Sequence, residues 1–183
     1  MRITILNGEP DPGSSFHRYV HELAVGLADP GHRVLTLDLG GLDLKGCSGC
    51  FGCWVKTPGR CVKGDDSGRV CAAVMEADLL VAASRVTMGF TSSRLKRAAD
   101  QMIPLVHPYL EWEGGEVHHR PRYSNYPGFA LVLGPGSGAD AEDLEISAGL
   151  WMRLARNLKF RPVLTAVADR SAVEVALAIL AAA

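Results

Sequence analysis

Arg2-Ile3-Thr4-Ile5-Leu6-Asn7-Gly8-Glu9-Pro10-Asp11-Pro12-Gly13-Ser14-Ser15-Phe16 opens the chain after Met1 and sets the pattern for everything that follows. The run Ile3–Leu6 reads as a buried strand. Gly8 to Ser14 reads as a turn, and Ser14 or Ser15 as the cap of a helix. Four further apolar runs match the first: Val34–Leu37, Leu79–Ala82, Phe129–Leu133 and Val163–Val167. Their nearly unbroken hydrophobicity suits a parallel sheet covered on both faces.

Helical stripes separate these runs. Phe16, Val20, Leu23, Ala24 and Leu27 share one face, and Pro30-Gly31 is expected to end that helix. Val70, Val74 and Met75 form a shorter stripe. Leu95, Ala99, Met102 and Ile103 form a third, with Pro104 as its kink or end. Leu144, Trp151, Leu154, Ala155 and Leu158 form a fourth, and Ser171 to Glu174 has the spacing of a capping box. Strand and helix alternate through five strands, which implies right-handed crossovers and a doubly wound sheet. The expected order is 2-1-3-4-5, in one domain spanning residues 1–183. Tyr109 to Pro127 reads as one long irregular loop, polar and aromatic.

Composition narrows the function. The 183 residues are 48% hydrophobic and 21% charged, with a formal net charge of -1. A core of ordinary size is available. No dense Lys/Arg stripe is present, so nucleic acid and anionic membrane partners are not expected. No stretch reads as a signal peptide or a bilayer span. A cytoplasmic location is expected, where five cysteines are thiols, metal ligands or redox groups before they are disulfides.

Ligands of open α/β sheets bind beyond the carboxyl ends of the strands, where strand order reverses. Four loops leave those ends: Gly8 to Ser14, Gly41 to Asp66, Ser84 to Ser92, and Gly134 to Ala139. They are expected to converge on one rim. The first reads as a capped helix start whose free N–H groups suit a phosphate. Glu9 and Asp11 oppose that reading, because carboxylates repel a phosphate dianion unless they point away.

In the second loop stands Cys47-Ser48-Gly49-Cys50-Phe51-Gly52-Cys53, followed by Thr57-Pro58-Gly59-Arg60-Cys61. Four thiolates at Cys47, Cys50, Cys53 and Cys61 suit zinc or an iron–sulfur cluster. A reversible Cys47–Cys50 dithiol and a set of packed, reduced thiols are the other readings. Cys71 is expected to be an ordinary buried residue.

These residues make the chain resemble the flavodoxin-like NAD(P)H-dependent FMN reductase family, which includes the iron–sulfur flavoproteins. The most specific segment is Cys47 to Asp66; Asn7-Gly8 with Pro10, Met88-Gly89-Phe90 before Leu95-Lys96, and Ile103-Pro104-Leu105 add to it. His118-His119, Arg122-Tyr123 and Tyr126-Pro127 resemble one branch of the family. The resemblance implies a three-layer sandwich, FMN as cofactor, NAD(P)H as co-substrate and a small-molecule or protein electron acceptor. It also implies a homodimer or homotetramer. The FMN phosphate would meet Asn7, Gly8, Glu9, Ser14, Ser15 and Phe16. The flavin ring would rest on Ser84, Arg85, Val86, Thr87, Met88, Gly89 and Phe90, with Gly134 and Gly136 beyond. Cys47, Cys50, Cys53 and Cys61 would hold a [4Fe-4S] cluster near the flavin.

The first loop often reads Gly-Ser-Pro-Arg in that family, where this chain has Gly8-Glu9-Pro10-Asp11. Arg85 is expected to compensate by reaching toward the phosphate or the flavin edge. The rival reading is a flavodoxin-like binding or assembly protein that has lost flavin. No catalytic side chain is assigned, because hydride transfer needs none. Asp65 and Asp66 are expected to cap a helix. His107, His118 and His119 are expected to be surface or packing residues. Trp54, Tyr109, Trp112, Tyr123 and Tyr126 are expected near the carboxyl rim, over a flat ring or at a subunit contact.

Overall fold

The computed structural model describes residues 1–28 and 31–183. Its elements are β1 (Arg2–Asn7), α1 (Ser15–Leu27), β2 (Arg33–Asp38), α2 (Gly52–Val55), α3 (Ser67–Glu76), β3 (Leu79–Thr87), β4 (Phe90–Thr91), α4 (Ser93–Asp100), β5 (Val106–Glu113), β6 (Glu116–Pro121), β7 (Gly128–Pro135), α5 (Ala141–Asn157), β8 (Arg161–Val167) and α6 (Ala172–Ala182). The main sheet runs β2-β1-β3-β7-β8, all parallel, and β4 folds back antiparallel onto the end of β3. In order of the long strands this is the expected 2-1-3-4-5 arrangement.

Two cores sandwich the sheet. On one face α1 and α6 bury Phe16, Val20, Leu23, Val175 and Ile179 against Ile3, Ile5 and Val81. On the other, α3, α4 and α5 bury Val70, Leu95 and Trp151 against Leu6, Leu80 and Leu131. The alternation arises because successive residues of a strand point to opposite faces. Burial on both faces is why the central strands β1, β3 and β7 read as continuous apolar runs.

Helix ends follow local chemistry. Ser14 Oγ accepts from His17 N at 3.0 Å and starts α1. Asp140 and Ser171 open α5 and α6, each with a reciprocal capping box. Helix α1 ends at Leu27, with the Ala28 N–H donating to Ala24 and Val25 carbonyls. Pro30 of the expected stop lies outside the described residues.

Three expectations are corrected. The stretch from Tyr109 to Pro127 is largely an antiparallel hairpin, β5 with β6. Gly114 and Gly115 form its turn with φ of +58° and +84°, the positive values that a type I′ turn requires at both positions. Ser84 to Thr87 belongs to β3, and Gly134-Pro135 to β7, so both strands run further than their apolar runs. Asp66 stands at the N-cap of α3, yet its side chain makes no cap bond. Its carboxylate accepts from Asp43 N at 2.8 Å. Asp65 does meet the helix start as expected, its Oδ1 accepting from Ser67 N at 3.1 Å while its Oδ2 accepts from Lys45 N at 2.9 Å.

At the carboxyl ends of β3 and β7, Gly136 N donates to Val86 O at 2.9 Å. A Cβ on Gly136 would stand 2.2 Å from that oxygen. Gly136→Ala is therefore expected to lower stability by about 1–3 kcal/mol, read as a lower urea midpoint. An unchanged midpoint would show that the β3–β7 rim is softer than its backbone contacts indicate.

Candidate functional site

The parallel sheet sends Gly8–Ser14, Met88–Gly89 and Gly136–Ala139 out of the same rim. Asn7 and Glu9 are buried there, at 0% and 2% exposure. The Glu9 carboxylate turns inward and meets Arg85 as a fork: Nε to Oε2 at 2.6 Å and Nη2 to Oε1 at 2.9 Å. Glu9 Oε1 also accepts from Asp11 N at 3.2 Å, and Asn7 Oδ1 accepts from Glu9 N at 3.1 Å. The bidentate bond to Glu9 raises the Arg85 pKa above its ordinary value. Arg85 is thus engaged by Glu9 rather than reaching outward as expected, and the Glu9 charge is neutralised.

Asp11 remains at the surface, where its Oδ1 accepts from Gly13 N at 2.9 Å. Ser14 uses its hydroxyl as the cap. Ser15 is exposed, and the N–H groups of Ser15 and Phe16, the first two of α1, have no hydrogen-bond partner among the described residues. The Phe16 ring is buried, and a Cβ on Gly134 would stand 2.6 Å from it. Ser84 is buried and accepts from Ser92 N at 2.9 Å. Gly8 packs under Leu95 and Ser92, and Val86 is buried. Of the expected cofactor residues, Ser15, Thr87 and Met88 are exposed, and Ser14, Arg85, Gly89, Phe90 and Gly136 are partly so. Met88 and Gly89 form the β3–β4 turn with φ of +54° and +76°. The Trp151 indole donates to Thr91 Oγ1 at 3.2 Å and ties that turn to α5.

The cysteine segment does not join this rim. Helix α4 starts at the rim, where Ser92 Oγ donates to Gly8 O, and runs away from it. Cys47, Cys50, Cys53 and Cys61 line a cavity of about 370 Å³ together with Gln101 and Leu158, at the far ends of α4 and α5. Three anchors hold the segment there. Asp65 and the Lys45 carbonyl both accept from Gln101 Nε2, and Trp54 Nε1 donates to Val106 O at 2.9 Å. The Trp54 ring also packs on His119 of the hairpin. The expected convergence of all four loops is therefore corrected to three. Trp54, Tyr109, Trp112, Tyr123 and Tyr126 likewise belong to the end from which the hairpin leaves.

The thiols differ in reactivity. Backbone hydrogen bonding from Gly52 and the Ser48 hydroxyl lower the Cys50 pKa. Burial raises that of Cys53, and pushes that of Cys71 to about 12, as expected of an inert buried thiol. Among the described residues, the side chains that bring three metal-donor atoms within 4.8 Å of one another are His17, His21 and Asp38. Zinc bound by four thiolates holds its sulfurs about 3.8 Å apart, so the four cysteines are not preset for zinc. Sequence reasoning passed over the histidine pair, although His-x-x-x-His on a helix places both rings on one face.

The sequence profile of the NADPH-dependent FMN reductase family matches residues 1–155. The chain belongs to this family. Membership assigns it to flavin-dependent NAD(P)H oxidoreduction, and β8 and α6 complete the fold beyond the matched range. Solved structures of similar fold include an NAD(P)H:quinone oxidoreductase from Methanothermobacter marburgensis, 18% identical, with a TM-score of 0.66 over 100% of this chain and 97% of that one. An FMN-dependent NADH-azoreductase from Bacillus anthracis, solved in complex with FMN, is 12% identical, with a TM-score of 0.65 over 100% and 98% of the two chains. An NADH:FMN oxidoreductase in its apo form is 15% identical, with a TM-score of 0.61 over 98% and 87%. At these identities the likeness shows the fold. No curated protein matches the chain in sequence.

Two predictions follow from the anchors of this reductase. Arg85→Met strands a carboxylate that is 1% exposed and is expected to cost about 3 kcal/mol, the low end for a buried pair because Arg85 is 36% exposed. The double variant Glu9→Gln, Arg85→Met should recover part of that loss in urea unfolding; no recovery would mean that the fork is not the source. Hydrogen bonds from Ser67, Lys45 N and Gln101 outweigh desolvation and hold Asp65 at about 2, below the ordinary 3.8. Its contribution is complete above pH 3.8 and fades as pH falls toward about 2. Asp65→Asn should therefore be less stable at neutral pH and lose less across that window; parallel pH profiles would contradict the assignment.

Proposed function

We propose that this chain is an FMN-dependent NAD(P)H oxidoreductase that holds the flavin phosphate at the start of α1 and the ring against the β3–β4 turn. One observation carries the reading: two unpartnered N–H groups, at Ser15 and Phe16, stand at the positive end of a 13-residue helix. The adjacent Glu9 is turned inward and neutralised by Arg85. The residues therefore fit a phosphate despite the acidic appearance of the loop. Bound there, FMN would supply the hydride-accepting and electron-passing chemistry between a nicotinamide and a second acceptor.

The chain's own part is binding and orientation. The Ser15 hydroxyl and the two amides would hold the phosphate. The exposed Thr87-Met88-Gly89 turn would support the ring, and Gly136 allows the β7 end to approach Val86 closely. Family membership disfavours the rival reading of a flavin-free assembly protein, and the Glu9–Arg85 fork removes its main argument.

Finer features belong to the same proposal. The acceptor is a small molecule or a protein. Tyr109, Leu110, Trp112 and Val117 are exposed on the hairpin, which favours burial against a second copy in a homodimer or homotetramer. Five free thiols suit a reducing, cytoplasmic setting. No described helix is long and apolar enough to cross a membrane. The four cysteines around one cavity are where a [4Fe-4S] cluster would be held, at a station separate from the rim.

Charge changes at the rim test the flavin reading in both directions. Ser15→Glu preserves the helix start but puts a carboxylate where the phosphate would lie. It should weaken FMN at least about tenfold, against a change of less than about twofold for riboflavin, which lacks the phosphate. Asp11→Asn should tighten FMN and not riboflavin. Fluorescence titration reads both. Equal effects on the two flavins, or no flavin uptake by the parent chain, would overturn the proposal.

A further inference from the structure

We propose that His17, His21 and Asp38 form a binding site for one borderline divalent transition-metal ion, of the zinc or cobalt type. The site is independent of the flavin reading and of the cysteines.

The argument begins with spacing. His17 and His21 lie one turn apart in α1, so their rings share a face. Ring centroids are 4.6 Å apart with planes tilted by 43°. Asp38 is the last residue of the edge strand β2, and the pairing of β1 with β2 sets it beside Asn7. His21 Nε2 stands 3.4 Å from Asp38 Oδ1, and His17 Nδ1 stands 4.0 Å from the same atom. A tetrahedral ion with bonds of about 2.0–2.1 Å needs donor atoms about 3.4 Å apart. The His21–Asp38 distance already meets this, the His17–Asp38 distance requires a shift of under an ångström, and the two ring nitrogens lie within 4.8 Å of each other.

The surroundings supply what an isolated triad lacks. The fully buried Asn7 amide donates to Asp38 Oδ1 at 2.7 Å and lies 3.1 Å from His17 Nδ1. It orients the carboxylate as an outer partner does in metal sites. On metal entry the His17 lone pair would pass from the Asn7 N–H to the ion. Asn7 is itself held through Oδ1 by Glu9 N, so the support extends into the rim loop.

Donor chemistry sets the type of ion. Two imidazoles and one carboxylate suit zinc, cobalt or nickel, whereas magnesium and calcium prefer all-oxygen shells. Three protein ligands leave a coordination position for water. The side chains of His21 and Asp38 are 46% and 42% exposed, which gives the ion a path, while that of His17 is 14% exposed. A bound ion would clamp the first turns of α1 to the edge strand, raising the unfolding temperature by mass action.

Cobalt titration of the full chain tests the site, because the spectrum distinguishes nitrogen and oxygen donors from thiolates. The expected result is one Co²⁺ per chain, with visible d–d absorption, no near-ultraviolet thiolate charge-transfer band, and a raised unfolding temperature. His21→Ala and Asp38→Asn, both at half-exposed positions, should each weaken binding by more than about 100-fold and abolish the thermal shift. No uptake, cobalt absorption that always carries the thiolate band, or variants that bind like the parent chain would each overturn the proposal.

Discussion

The rim of this reductase depends on one buried ion pair. Glu9, 2% exposed, has its carboxylate held in the fork of Arg85. A buried carboxylate without a counter-charge is costly, so the pair binds the loop after β1 to β3. The same contact decides the electrostatics, because it removes a negative charge from the place where a phosphate would lie. Asn7 extends the network from Glu9 to Asp38 and His17 at the sheet edge. One cluster of polar side chains thus sets the shape of the rim from its centre to its border.

A second consequence is the separation of two chemistries. Helices α4 and α5 both start at the rim and run away from it. Eight residues span about 12 Å and seventeen about 25 Å. The cysteine cavity lies against those far ends. Electron traffic between it and the rim of the same chain would have to cross the helical layer. The cysteines and the proposed flavin position are therefore distinct stations.

The sheet was legible because its central strands β1, β3 and β7 are buried on both faces, and its partly exposed edge strands β2 and β8 still carry apolar runs. The hairpin was not: its strands are largely exposed, so no buried apolar run marks them, and the short Leu110-Glu111-Trp112-Glu113 alternation lies within a polar stretch. Gly114-Gly115 was the available signal. The place of the cysteine loop was hidden for another reason. Its anchors, Trp54 to Val106 and Asp65 to Gln101, join residues 52 and 36 positions apart. The inward turn of Glu9 depends on Arg85, 76 positions away. Local spacing carries no trace of such pairings. By contrast, the helix start at Ser14 and the family likeness were both readable from short segments.

The claim that flavin and cysteines occupy separate ends can be tested in one titration. FMN fluorescence quenching is measured on the parent chain before and after carbamidomethylation of the exposed thiols of Cys47 and Cys50. The account predicts one FMN per chain with the same dissociation constant in both samples. Loss of FMN binding on alkylation would contradict it.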